Sequence, residues 1–335
     1  MQALVLEGIS QPLQLRDVPT PTAGPGQLLV HLHAAALNHR DVWIQHGQYA
    51  GLRFPCILGS DGAGVVSAVG EGVDPQWLGQ KVLINPGHNW GENPRAQGRS
   101  FAIVGLPEQG TFAEFLSVPL QYVHPMPQHL SFAQAAALPL AGVTAYRATF
   151  TRAGLQAQER VLITGIGGGV ALLAMQMAVA RGAQVWVTSG SDEKIARAVA
   201  LGAQGGINYK TEGWAMTIAK EAGGPFDVIV DSAAGPAFAQ LLDVAAPGGR
   251  IVFYGGTLGT IPQVPPAKIF WKQLSILGST MGTEQDFAEL LALVTEHQLH
   301  PVVDEVLPLA EGEAAMRRMD NGQQFGKIVL QISHE

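Results

Sequence analysis

The chain has 335 residues, a formal charge of −7 and one cysteine, Cys56. At roughly 100–200 residues per domain this length suggests two domains, and 47% hydrophobic against 14% charged residues excludes a disordered chain. An acidic balance with no basic run argues against nucleic-acid binding through phosphate neutralisation, and a lone thiol excludes an internal disulfide or a thiolate-rich zinc site within the chain.

The first third reads as β. Gln27–Ala36 alternates in part, and Gly62–Gly70, Lys81–Ile84 and Phe112–Val118 are short strand candidates punctuated by Gly and Pro, the rhythm of a small barrel or sandwich. Ser131-Phe-Ala-Gln134 is a capping box that opens an alanine-rich helix, which Pro139 should bend or end. From Arg160 the pattern becomes strand–helix–strand. Strands are expected at Val161–Thr164, Gln184–Thr188, Asp227–Asp231, Arg250–Tyr254 and Leu274–Ser279, and helices at Val170–Arg181, Asp192–Leu201, Gly213–Ala222 and Ala237–Ala245. This alternation implies an α/β doubly wound parallel sheet. The tail offers helices at Glu284–His297 and Gly312–Met319 and a last strand, Lys327–Ile332, expected to return to the first domain.

The location expected from cysteine usage is cytoplasmic. The opening MQALVLEG has no positive region and an early Glu7, so it is not expected to be a secretory signal. The most apolar run, Val170–Ala180, is about half a membrane span and holds Gln176, so no membrane association is expected.

The strongest local signal is Val161-Leu-Ile-Thr-Gly165-Ile-Gly167-Gly168-Gly169-Val170, an apolar strand running into glycines and then a helix. Glycines let the backbone approach a pyrophosphate, and the helix start presents unpaired N–H groups and a positive dipole end. A tight structural turn is the plain alternative. The next strand ends Thr188-Ser189-Gly190-Ser191 without the acid that NAD sites use to hold the ribose hydroxyls, and Lys194 lies one turn into the following helix. NADP(H) is therefore favoured over NAD(H). Asp192 is the contrary signal, although an acid also suits the first turn of a helix.

These residues resemble the medium-chain dehydrogenase/reductase superfamily over nearly the whole chain. The resemblance is carried by Gly59-Ser60-Asp61-Gly62-Ala63-Gly64-Val65-Val66, Ala36-Leu37-Asn38-His39-Arg40-Asp41-Val42-Trp43, Ala141-Gly142-Val143-Thr144-Ala145-Tyr146, Asn208-Tyr209 and Phe325-Gly326-Lys327. It implies a GroES-like β-barrel catalytic domain (1–129 and 283–335) around a Rossmann domain (130–282). The likeness is strongest to quinone oxidoreductases and to zinc-type alcohol dehydrogenase relatives that have lost the metal. Zinc enzymes of the superfamily place a cysteine at Asn38, a His-Glu pair at Ser60-Asp61 and a second cysteine near Leu140, so no metal ligands are assigned. The stretch matching their structural-zinc lobe, Asn85–Gly110, has no cysteine; His88 and Glu92 within it read as a polar surface loop.

By the same resemblance Asn38 and Asp41 are catalytic-site residues. Asn38 would donate a hydrogen bond to a substrate oxygen and Asp41 would orient its neighbours. Trp43 and Tyr49 would wall the substrate pocket, and His39 is an optional proton donor. The cofactor would meet Thr144, Gly165, Gly167, Gly168, Gly169, Val170, Ser189, Ser191, Lys194, Tyr209, Gly255, Gly256, Phe325 and Lys327. Cys56 reads as a buried hydrophobe, and His31 and His33, sharing a strand face, lack a third ligand. Without zinc, donors must stabilise charge developing on oxygen, a burden lightest when hydride goes to a quinone or an α,β-unsaturated carbonyl. Two other readings stay open: an alcohol dehydrogenase holding zinc through unusual ligands, and a non-enzymatic NADPH-binding, crystallin-like protein. The resemblance also implies a homodimer paired along the apolar edge strands Arg250–Tyr254 and Leu274–Met281.

Overall fold

A computed structural model describes residues 1–333. The chain divides into two units, Met1–Ala141 with Thr283–Glu335, and Gly142–Gly282. The first division thus falls after Ala141 rather than after residue 129, because the helix Phe132–Ala136 packs on the first unit's strands Gln27–Ala36 and Asp61–Val69.

The spine of the first unit is the strand Gln27–Ala36 in a seven-stranded sheet. It pairs antiparallel with Asp61–Val69, Phe115–Pro119 and the returning C-terminal strand Lys327–Gln331. Its buried residues alternate as far as Ala34 and then become continuous, so Ala35 and Ala36 are covered on both faces. Leu28, Val30, Leu32, Val66, Val82 and Ile84 form one core. A three-stranded sheet of Gln14–Asp17, Gln2–Leu6 and Cys56–Ile57 covers another, where Leu37, Ile44, Leu58 and Phe112 meet Ile328 and Leu330. The strand expected from Phe112 begins at Phe115, because the Phe112 carbonyl accepts the Leu4 N–H at 2.8 Å instead of joining the larger sheet.

The capping box at Ser131 is made reciprocally, Ser131 N–H to Gln134 Oε1 at 3.1 Å and Gln134 N–H to Ser131 Oγ at 3.3 Å. The helix ends at Ala136, in keeping with the expectation that Pro139 would bend or end it, and Pro139 starts a new one, Pro139–Tyr146, at a position where its missing N–H removes no hydrogen bond.

The second unit holds six parallel strands. Numbered along the chain from Arg160–Ile163, their spatial order is 3-2-1-4-5-6, that of a dinucleotide-binding doubly wound sheet. Arg160–Ile163 and Phe226–Asp231 are almost continuously buried, as expected of central strands covered by helices on both faces. The third strand, Gly205–Asn208, escapes sequence reading because two of its four residues are glycine. The reversal of strand order lies between the first and fourth strands, and ligands of such sheets sit at the carboxyl ends there. The expected α/β architecture, a doubly wound sheet with a GroES-like β unit, is the one observed. No helix among the described residues is long and apolar enough to cross a membrane.

Candidate functional site

In the second unit the strand Arg160–Ile163 leads into Gly165 (φ 68°) and Gly167 (φ 119°), conformations that L side chains rarely adopt. Gly168 is the N-cap and Gly169 the first residue of the helix Gly169–Ala180, whose first turn carries no acid and no side-chain cap. The N–H groups and dipole of that helix are therefore left to an external anion. A Cβ on Gly167 would stand 2.8 Å from Lys194 Cδ and 3.4 Å from its Nζ, so the lysine lies across the loop. Val170 follows in the first turn, and Gly255 and Gly256 follow the fifth strand of the sheet, Ala245–Phe253.

The strand Gln184–Ser189 ends beside this loop. Ser189 Oγ donates to the Ile166 carbonyl at 3.2 Å, so Ser189 steadies the loop. Ser191 caps the next helix through the Lys194 N–H at 3.4 Å. A Cβ on Gly190 would stand 2.6 Å from Tyr209 Oη and 3.1 Å from Lys210 Cε, so Tyr209 and Lys210 both close on the strand end. Asp192 is turned aside to accept the Asn208 amide at 3.0 Å. Lys210 was missed in the sequence; its signal was its place beside Tyr209. These residues fit a dinucleotide, with glycines where its backbone must pass and Lys194, Tyr209 and Lys210 around the strand end. Thr144 is buried, its Oγ1 3.9 Å from Met281 Sδ.

In the first unit Asn38 is the N-cap of the helix His39–Gln45 and Asp41 accepts its backbone N–H at 2.8 Å. The Asn38 side chain is held at both ends. Its Oδ1 accepts from Lys327 Nζ at 2.6 Å and its Nδ2 donates to Asp61 Oδ2 at 2.9 Å. Lys327 also donates to the Leu37 carbonyl at 2.6 Å and to Asp61 Oδ2 at 2.9 Å, and Asp61 Oδ1 accepts the Leu140 N–H at 2.7 Å. Ser60 Oγ accepts from Arg40 at 2.7 Å and donates to the Val104 carbonyl at 2.7 Å. Asn38, Asp61 and Lys327 are all buried.

The three ammonium hydrogens of Lys327 are thus all taken within the first unit. Phe325 is likewise buried, its N–H on Asp304 Oδ1 at 3.0 Å. Tyr49 lies under the Arg40 guanidinium, 5.0 Å from carbon to ring centre, and Trp43 is half-buried with its ring tilted against His39. Arg40 and Asp61 were legible as neighbours of the motif residues, but their partners were not.

Asp41 is fully buried and its Oδ1 has no hydrogen-bond partner. Burial pushes its carboxyl up to about 6, against the opposing pull of Arg40 and the Asn38 N–H. A raised carboxyl binds protons more tightly when folded, so its contribution to stability is fullest below about pH 4 and is lost as pH rises through 6. Asp41→Asn keeps an acceptor for Asn38 and removes the titration. Relative to wild type it should gain about 2–3 kcal/mol between pH 4 and pH 7, read by urea denaturation; parallel pH profiles would refute the assignment.

The donors here do not fit zinc. Asn38, Ser60 and Leu140 offer an amide, a hydroxyl already bonded on both sides and no side-chain heteroatom, and the one carboxylate, Asp61, is paired with an ammonium. Among the described residues no cluster of three His, Cys, Asp or Glu could hold a metal ion. His88 turns to Glu108 (3.6 Å) and stacks on Tyr122, not toward Glu92. His31 and His33 stack on Phe115 and Phe132. A cavity of about 430 Å³ in the first unit, walled by Cys56, His88, Glu108 and Phe115, includes none of the Asn38 group. Cys56 is buried and its thiol is pushed up to about 11 by burial. Folded protein at pH 7.5 should thus react with a thiol reagent at least about 100-fold more slowly than urea-unfolded protein; equal rates would exclude this.

The family models "Alcohol dehydrogenase GroES-like domain" and "Zinc-binding dehydrogenase" match residues 24–128 and 169–296. The chain is 36% identical to the zinc-type alcohol dehydrogenase-like protein YogA of Leptosphaeria maculans, over 96% of this chain and 95% of that protein. It is 28% identical to an acryloyl-coenzyme A reductase of Metallosphaera sedula, over 98% and 99%. A solved NAD-dependent alcohol dehydrogenase superposes with a TM-score of 0.93 at 37% identity, covering 99% of this chain and all of that one. With both units, the glycine loop and the Asn38 motif in place, the chain belongs to the medium-chain dehydrogenase/reductase superfamily of pyridine-nucleotide oxidoreductases.

Proposed function

We propose that this protein is a zinc-independent, NADP(H)-dependent reductase that delivers hydride to a quinone or an α,β-unsaturated carbonyl. The observation that carries the reading is the pairing of Lys327 with Asn38 and Asp61, which sets an ammonium against an amide and a carboxylate at two of the positions that, by resemblance, match the cysteine and the His-Glu pair of zinc relatives. The nicotinamide cofactor, when bound, supplies the hydride. Lys194, Tyr209 and Lys210 would hold its 2′-phosphate, and the start of the Gly169–Ala180 helix its pyrophosphate. Asn38 has one amide hydrogen beyond its bond to Asp61, and that N–H is the donor for the substrate oxygen. A single neutral donor is a weaker electrophile than a metal, and a conjugated acceptor, which spreads the developing charge, asks least of it.

The similarity to an acryloyl-coenzyme A reductase favours a conjugated acceptor. The names of the zinc-type and NAD-dependent relatives point to the second reading, a zinc alcohol dehydrogenase. NADPH consumption against a panel of quinones, enones and simple aldehydes separates the two. Turnover of enones or quinones with NADPH is expected; oxidation of simple alcohols dependent on added zinc would overturn the proposal.

A homodimer is part of this proposal. The last strand of the parallel sheet, Ser275–Gly278, has a free edge, and Phe270 and Trp271 in the preceding helix are 60% and 80% exposed. Both an open edge and large exposed aromatics favour burial against a second copy. Light scattering should give twice the chain mass and Trp271→Asp should shift it toward the single chain; a wild-type monomer at micromolar concentration would refute the dimer.

A further inference from the structure

Lys327 makes three hydrogen bonds, to the Leu37 carbonyl, Asn38 Oδ1 and Asp61 Oδ2, and an ammonium has three hydrogens. None is left for a substrate. Those acceptors are all oxygens, and with 4% and 0% exposure Lys327 and Asp61 are shielded from water. The arrangement is a small oxygen cage closed by the chain's own cation. Its effect falls on Asn38. Because the amide oxygen faces the ammonium, the nitrogen must face Asp61, which settles which end of the amide is which. A cation on the amide oxygen also draws charge from the nitrogen and strengthens its remaining N–H as a donor.

We infer that Lys327 is a built-in cation that replaces a metal's orienting and polarising role in this pocket: it fixes Asn38 and sharpens the amide N–H that meets the substrate oxygen. Lys327 is thus a positioning residue, acting through Asn38. The inference rests on the reading of Asn38 as the substrate donor. Its rival is a plain structural ion pair that ties the strand Lys327–Gln331 to its neighbours.

The two differ when the pair is removed as a unit. Lys327→Met alone would strand a buried carboxylate, a loss that can unfold the protein, so the informative variant is Lys327→Met with Asp61→Asn, which leaves no unpaired charge. The inference expects this double variant to fold and to bind NADPH within about twofold of wild type, while kcat for an enone falls about tenfold or more and KM changes less. A kcat within about twofold of wild type would overturn it, since a structural pair is dispensable once both charges are gone. If wild type turns over no conjugated acceptor, the functional reading fails by itself. The inference is then judged by NMR of ¹⁵N-asparagine-labelled protein. The Asn38 side-chain NH₂ should be displaced downfield and slow to exchange in wild type and should return to ordinary values in the double variant; an unchanged resonance would overturn it.

Discussion

Asn38→Ala should lower kcat for an enone or quinone by about 100-fold while NADPH binds within about twofold of wild type. The magnitude follows from the cost of removing one donor to a developing oxyanion, about 10²–10³ in kcat. It should appear in kcat rather than KM, because a carbonyl oxygen in the ground state asks little of the donor and an enolate asks much. The variant also frees one acceptor position on Asp61 and one donor of Lys327, but these two still face each other at 2.9 Å, so the fold survives. Asn38→Asp makes the opposite change: it presents a second carboxylate to Lys327, removes the donor and should be at least as inactive. Steady-state kinetics with NADPH titrations decide the matter. Equal loss in NADPH affinity and in kcat would place Asn38 in cofactor binding instead.

Lys194→Ala should weaken NADPH about 10–100-fold and leave NADH almost unchanged. A hydrogen bond to a charged phosphate contributes about 1.5–3 kcal/mol, which is the size of that change. Tyr209→Phe should add a smaller loss, and Lys210→Ala a further one, because both residues close on Gly190 at the strand end. NADH has no phosphate there, so its binding reads only the glycine loop and the helix start. The measurement is cofactor affinity by fluorescence quenching for both nucleotides. Parallel losses for NADPH and NADH would mean that Lys194 serves the pyrophosphate, or the packing over Gly167, and that the cofactor preference is set elsewhere.

Much of the fold was legible because the decisive strands are short, apolar and flanked by glycine. Gln27–Ala36 and Lys81–Ile84 run as their sequence patterns indicate, and the parallel strands shift by a residue or so at most ends. The fifth strand instead begins five residues early, at Ala245, through the Pro247-Gly248-Gly249 turn. Elements that depend on distant partners were hidden. Gln2–Leu6 and Gln14–Asp17 exist because they pair with each other and with Cys56–Ile57. The helix Pro266–Lys272 is held by Lys272 Nζ on the carbonyls of Leu242, Asp243 and Ala245. At the site, the glycine loop and the helix that follows it were readable as local sequence, because a strand, a positive-φ glycine turn and a helix start are set by neighbouring residues. Lys327 was not, because its meaning lies in Asp61, 266 positions away, and Asn38, 289 away. Sequence alone shows no cysteine or histidine at Asn38, Ser60 or Leu140; the structure sets the Lys327 ammonium against Asn38 and Asp61.

That substitution is the centre of the account, and metal content measured alongside activity tests it most directly. Purified protein should hold far less than about one zinc per chain, reduce an enone or quinone with NADPH, and keep that activity through prolonged exposure to a chelator. About one zinc per chain, with activity lost on chelation and regained on adding zinc back, would contradict it.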